Sequence, residues 1–237
     1  MTDAISLLSA SLRADTESVR VISQNVANVQ TYGYRRQIAV SEPAFQSAQQ
    51  LAAAAMLAPT ERISNDFRAG TLQQTGGPWH VAIEGDGYFV LSTPQGERLT
   101  RRGDFTLDAA GKLVSHDGFS VLGQSGEITV PDGSPTIDPD GTIRVAGQAV
   151  DQLRRAAAAP GTLTGTADGL FVASPAIPPT ETTANSIRQG YVETSNVAPV
   201  DEILRLMETM RHFETAQHFV RGANDLIGNA ITTLGKV

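Results

Sequence analysis

The chain contains no cysteine and only two lysines, Lys112 and Lys236. The missing cysteine excludes disulfides, thiolate nucleophiles and Cys-ligated zinc. It leaves the compartment open, because cysteine-free chains occur on both sides of a membrane. With lysine nearly absent, arginine carries almost all positive charge, and the net charge is -7. Phosphate binding needs clustered Lys and Arg. The arginine doublets Arg35-Arg36, Arg101-Arg102 and Arg154-Arg155 are scattered, and they read as local ion pairs, with no nucleic-acid partner. No segment approaches the ~18 apolar residues of a membrane-spanning helix. The opening run MTDAISLLSASLRAD lacks the basic start and continuous apolar stretch of a cleaved secretory signal. Direct membrane insertion is therefore not expected, and passage out of the cytoplasm would need another export route.

What is present is a pair of helical seams at the two ends of the sequence. Near the N-terminus Ile5, Leu12, Val19 and Val26 recur at a seven-residue spacing, with Leu8, Ile22 and Val29 interleaved and Asp15 as the polar member. Near the C-terminus Leu206, Phe213, Val220, Ile227 and Leu234 form one series. Ile203, Met210, Gln217, Asn224 and Ile231 form its partner. Seams of this kind are heptad a and d positions, which bury against another helix. A polar residue in such a seam costs stability and selects alignment, which is the reading for Gln217 and Asn224; Asp15 reads either as such a register-fixing residue or as an edge position. Burial along the two seams falls short of the entropy lost in ordering so much chain, so additional burial against neighbouring molecules is expected.

At 237 residues, 41% hydrophobic and 18% charged, the chain can form a folded core in one large domain or two smaller ones. Three zones emerge. Residues 2 to about 30 read as one helix, started by Thr2 or Asp3 and stopped at Thr31-Tyr32-Gly33. From about Thr71 to Ser174 the pattern becomes short period-two runs. Val81–Ile83, Tyr88–Leu91, Phe105–Leu107, Leu113–Val114, Phe119–Leu122, Ile128–Val130, Thr142–Val145 and Leu170–Val172 are strand candidates. Asp-Gly and related pairs between them supply the positive-φ residues of tight turns. A last helix starts near Pro199 and runs to about Leu234, with Asp201 and Glu202 facing the positive end of its dipole. The fold class is α+β: terminal N- and C-helices pairing as a coiled coil, with a central all-β domain, an irregular sandwich or barrel. The expected division is 1–33 with 198–237 as a discontinuous helical assembly domain, 34–70 as a linker region, and 71–197 as the β domain with a return segment. Within the linker region, residues 46–57 read equally as a short helix or a wrapping linker.

Nothing in the sequence supports catalysis. His212 and His218 are six apart, which does not place them on one helix face as metal ligands. No zinc-protease, nucleophile-elbow or phosphate-loop pattern occurs. Asp138-Pro-Asp140-Gly141 lacks the further ligands of a calcium loop and reads as a hairpin turn. No catalytic, cofactor-binding or metal site, and no cofactor, is expected. Two rivals remain open. One is a peptidoglycan-associated hydrolase using Glu84 with Asp86 or Asp104. The other is a non-polymerising binding module whose helices close on themselves.

The run Ser23-Gln-Asn25-Val-Ala-Asn28-Val-Gln-Thr31-Tyr-Gly33-Tyr-Arg35-Arg36 resembles the N-terminal signature of flagellar rod and hook proteins. Gly70-Thr-Leu-Gln-Gln-Thr-Gly76, Val81 to Phe89, and Thr100-Arg-Arg-Gly103-Asp-Phe105 resemble the family's β-domain. Gly190-Tyr-Val-Glu193-Thr-Ser-Asn196-Val197 resembles its C-terminal signature. Three linked motifs in order cover nearly the whole chain. The resemblance implies a structural axial subunit of the bacterial flagellar rod. Its partners would be copies of itself, homologous rod proteins and the flagellar type III export apparatus. Its place would be the rod in the periplasm, reached without a cleaved signal. The implied assembly residues are the apolar seam positions together with Asn25, Asn28, Thr31 and Gly33, whose neighbourhood is expected to allow close packing between subunits.

Overall fold

The computed structural model describes residues 2–41, 61–166, 169–174, 179–182 and 185–234. Backbone contacts divide the chain into a helical unit (Met1–Ala27, Gln37–Ser64, Ala198–Val237) and a β-rich unit (Asn28–Arg36, Asn65–Val197).

The β-rich unit is organised around the strand Tyr88–Thr93. Its apolar run Tyr88-Phe89-Val90-Leu91 is buried at every position, as in a strand covered on both faces. Successive side chains of a strand point to opposite sides, and these sort accordingly. Phe89 and Leu91 join the larger core with Val81, Phe105, Val121 and Ile143, whereas Tyr88 and Val90 join a smaller one with Leu99, Leu163 and Phe171. Edge-on rings contribute to both: Phe89 meets Phe105 at 5.2 Å between centroids, and Tyr88 meets Phe171 at 5.5 Å.

The main ladder runs in the order Leu163–Gly165, Phe171–Ala173, Gly96–Thr100, Tyr88–Thr93, Ser120–Gly123, Leu113–Val114, Thr106–Leu107. Gly126–Glu127 joins Ser120–Gly123, and Arg155–Ala157 bridges Thr180–Glu181 to the start of Tyr88–Thr93. Among the described residues the path has two free ends, one of them the two-residue strand Thr106–Leu107, so the sheet is open there. The barrel alternative is thereby corrected: strands this short, broken by so many turns, do not carry the continuous register that closure demands. Pro135–Ile137, Thr142–Val145 and Gln148–Gln152 form a separate antiparallel sheet. Its first turn is the Asp138–Gly141 sequence, closed by Gly141 N–H on the Asp138 carbonyl at 2.9 Å. Ser186–Gln189 pairs with Val81–Glu84, and Tyr191–Glu193 with Leu72–Gln74. Ile128–Val130 is not a strand. Thr129 makes one isolated bridge to Lys112, while Ile128 and Val130 turn into the core.

In the helical unit, α1 spans Thr2–Ala27 and α2 spans Pro199–Leu234, beside the paired strands Gln37–Ser41 and Glu61–Asn65. The expected continuation of α1 to Gln30 is corrected. Thr31 N–H donates to the Asn28 carbonyl at 3.1 Å and Thr31 Oγ1–H to Asn28 Oδ1 at 3.0 Å. These local bonds draw the backbone out of the helix. Val29 accordingly lies in a turn of the β-rich unit, not in the helical seam. α2 begins at Pro199 with Asp201 and Glu202 in its first turn, as the dipole argument requires. Residues 46–57 lie outside the described residues.

Candidate assembly site

The helices of the helical unit run antiparallel and touch. Asn25 of α1 bonds Glu202 of α2, and ten residues back along α1 Asp15 meets His212, ten residues forward along α2. Asp15, the polar member of the first seam, is thus an edge position whose carboxylate stands 2.7 Å from His212 Nδ1. Asn25 is fully buried. Its Nδ2 donates to the Gln37 carbonyl at 2.8 Å and to Glu202 Oε2 at 3.2 Å, and its Oδ1 accepts from Gln37 N–H at 2.8 Å. One amide side chain therefore satisfies both backbone groups at the start of a strand and ties that strand to both helices. Asn25→Ala leaves those groups unpaired and is expected to cost about 2–4 kcal/mol, read as loss of helical signal in the isolated chain without denaturant.

α2 carries two distinct faces. Glu202, Leu206, Thr209, Phe213, Ala216 and Val220 are buried or half-buried and recur at alternating four- and three-residue spacings, which is a heptad seam. Leu206, Phe213 and Val220 of the expected first series lie on it. Ile203 and Met210 of the partner series do not: they are 49% and 51% exposed. With Val200, Leu204 and Met207 they form an exposed apolar stripe on the opposite side of the helix. On α1, Ile22 is buried and Leu12, Val19 and Val26 are half-buried. The side chains of Ile5, Leu8, Ile227, Ile231 and Leu234 lie outside the described residues.

In the β-rich unit the signature motifs converge on Glu193. Glu193 Oε1 accepts from Arg35 at 2.5 Å and from Gly70 N–H at 2.8 Å, and Oε2 stands 3.4 Å from the Arg101 guanidinium. All three charged side chains are almost wholly buried. Arg101 also donates to the carbonyls of Ile83 and Gly85 and lies over the Tyr88 ring at 5.3 Å. Burial pushes the Arg101 guanidinium below its ordinary pKa against the pull of Glu193, and it pushes the Tyr88 hydroxyl up. The Glu193 carbonyl accepts from Gly33 N–H at 2.7 Å. Gly33 adopts φ +64°, and a Cβ there would run into the backbone of Arg101 and Arg102. The smallness of Gly33 is thus used for packing inside the chain.

Asn196 makes a second tie. Its Nδ2 donates to the carbonyls of Asp66 and Arg68, both at 2.8 Å, and its Oδ1 accepts from Arg36 N–H at 2.7 Å. Asn28 and Thr31 behave differently, lining an open cleft with Arg102, His116 and Asp117. Glu193, Arg35, Arg101 and Asn196 are the residues that sequence reasoning missed. Their available signal was the arginine doublet: in an extended segment the two residues face opposite ways, and Arg35, Arg101 and Arg155 are the buried halves. The doublets make both local and distant ion pairs: Arg102 meets Asp104 two residues away, whereas Arg35, Arg101 and Arg154 pair across the sequence.

Two of the three carboxylates named for the hydrolase alternative are taken up in ion pairs. Glu84 is held by Arg188 at 2.6 Å and Asp104 by Arg102 at 3.0 Å, while Asp86 is exposed. No helix among the described residues is long and apolar enough to cross a membrane. What the geometry defines is an α+β subunit whose motifs tie chain segments together and whose last helix leaves an apolar face uncovered.

Comparison with known proteins gives this class its family. The flagellar hook protein FlgE/F/G D1 domain matches residues 82–145, and the flagellar basal body rod FlgEFG protein C-terminal region matches residues 188–233. The flagellar basal-body rod protein FlgF of Mesorhizobium japonicum is 30% identical over 240 residues, covering 99% of each chain. FlgF of Caulobacter vibrioides is 30% identical over 92% of this chain and 91% of its own. FlgG of Buchnera aphidicola is 32% identical over 86% of this chain and 88% of its own. The chain belongs to the flagellar basal-body rod protein family. It is a structural subunit of the rod, its place is the basal body, and assembly with homologous rod proteins follows from the family.

Proposed function

We infer that the protein polymerises through its terminal segments, 1–33 with 198–237, into the inner wall of the rod and there carries torque from motor to hook. The exposed stripe Val200, Ile203, Leu204, Met207 and Met210 carries this reading. A contiguous apolar helix face left in water marks an interaction site, and in a rod subunit its occupant is the terminal helix of a neighbouring subunit. The antiparallel α1–α2 contact is the half of a coiled-coil arrangement that such neighbours complete. Asn28 and Thr31, facing the open cleft, belong to the same assembly surface. Coverage of 99% of each chain at 30% identity with an FlgF, against 94% and 96% at 28% with an FlgG, leans toward the proximal rod protein over the distal one. The subunit passes through the flagellar type III export apparatus without cleavage and reaches the rod in the periplasm.

Hydrogen exchange on the monomeric full chain tests this. Amides of residues 5–29 and 203–234 are expected to be weakly protected, and to gain at least about a hundredfold protection in assembled rods. Strong protection in the monomer would make the helices a self-contained pair and remove the need for neighbours.

A further inference from the structure

We propose that Glu193 is the positioning residue that holds the β-rich unit's incoming and outgoing chain segments in fixed register with its sheet, and that it thereby sets how stiffly a subunit transmits twist. The proposal rests on the rod-subunit reading for its mechanical half; its structural half stands on geometry alone. Three stretches of the β-rich unit lead directly toward the helical unit in sequence: 28–36, 65 onward, and the residues ending at Val197. All three are held at one place. Residues 33–35 are held by the Glu193 carbonyl and by the Arg35 ion pair, and Gly70 by the Glu193 carboxylate. The outgoing segment is held because Glu193 ends the strand Tyr191–Glu193, and Asn196 three residues on ties Arg36, Asp66 and Arg68. Through Arg101, the same carboxylate is linked to the carbonyls of Ile83 and Gly85 beside the central strand.

The chemistry suits stiffness more than net stability. A buried ion pair is weak grounds for stability, since desolvating the charges offsets their attraction. A carboxylate holding two guanidiniums and a backbone N–H does specify one geometry, because any displacement strands a buried charge. Two cations share one anion here, so each arginine's geometry is tied to the other's through Glu193. The apolar strands are already covered on both faces without this cluster. Its particular contribution is to the segments that the apolar cores do not hold.

The test compares Glu193→Gln, which keeps the shape and removes the charge, with Val121→Ala, a core variant that touches none of these ties. Hydrogen exchange is followed in the full chain. In Glu193→Gln, amides of residues 33–36, 68–71 and 194–196 are expected to exchange at least about tenfold faster, with residues 88–91 unchanged; Val121→Ala should show the reverse. A uniform rise across the unit in Glu193→Gln, or no change, overturns the positioning role. Should Glu193→Gln not accumulate folded, Arg101→Lys perturbs the longer of the two ion pairs and is read in the same way. In cells lacking the gene, Glu193→Gln is expected to lose swimming speed more steeply than Val121→Ala as viscosity rises. Equal slopes overturn the mechanical half. Failure of the unmodified gene to restore swimming would instead refute the rod-subunit reading and leave the exchange result standing.

Discussion

Gly33→Ala is expected to destabilise the β-rich unit by about 2–5 kcal/mol, combining the ~1–2 kcal/mol cost of a left-handed non-glycine residue with the ~1–3 kcal/mol of forced packing. Two causes act together. The residue sits at φ +64°, and its missing Cβ leaves room for the backbone of Arg101 and Arg102. Moving Gly33 away would break its N–H bond to the Glu193 carbonyl and pull Arg35 from the carboxylate. The thermal midpoint should fall by about 4–20 °C, since 1 kcal/mol corresponds to about 2–4 °C in a domain of this size. Gly118→Ala separates the causes. Gly118 has φ +83° with nothing near its Cβ position, so only the backbone cost of about 1 kcal/mol is expected there. Equal midpoint losses in the two variants would show that close packing at Gly33 contributes nothing.

This contrast bears on how far the sequence alone could be read. Strands with strong apolar content were legible: Val81–Glu84, Tyr88–Thr93, Leu113–Val114 and Thr142–Val145 appear where period and turn residues put them. Gly96–Thr100 and Ser186–Gln189 were not, although both are paired along their length. Their composition is polar, and they are strands because apolar neighbours pair with them, which is tertiary context overriding propensity. The helix ends show the same limit. Pro199 with two following acids announces the start of α2 chemically, whereas the end of α1 depends on Asn28 and Thr31 bonding each other, one residue type competing with the backbone.

The two helices of the assembly site were legible in the sequence; how the faces of the last helix divide was not. Heptad spacing located both helices but could not choose between two neighbouring registers on α2. Ile203 and Met210 have the better hydrophobic score, yet Glu202, Thr209 and Ala216 face inward. This setting goes with the buried Asn25 amide, which bonds Glu202 on the inward face, where Leu206, Phe213 and Ala216 also lie. A polar pair 177 positions apart in sequence therefore marks the inward face of α2. The same applies to Glu193, whose partners Arg35 and Arg101 lie 158 and 92 positions away. Long-range charge partners leave no periodic trace, so spacing could not reveal them.

The free face of α2 carries the largest expected functional effect. Leu204 is 55% and Met207 47% exposed, and neither lies on the half-buried face of α2. Changing both to Asp should leave the isolated subunit nearly unaltered, within about 0.5 kcal/mol, as for exposed positions generally. In the assembled rod each side chain would bury against a neighbour, contributing about 1.5–3 kcal/mol. Losing two such contributions weakens each contact by about 3–6 kcal/mol, at least a hundredfold in affinity at about 1.4 kcal/mol per factor of ten. The added carboxylates deepen the loss, because desolvating an unpaired charge costs still more. Polymerisation in vitro and swimming should therefore disappear while the monomer's thermal midpoint stays put. Ala216→Asp is the complementary variant. Ala216 is buried on the opposite face, so it should lower the monomer's helical stability before any neighbour is involved. If Leu204→Asp with Met207→Asp still formed rods in electron micrographs at wild-type length, the stripe would not be the assembly face. Polymerisation would then have to run through the half-buried seam, with α1 and α2 parting to admit a neighbour.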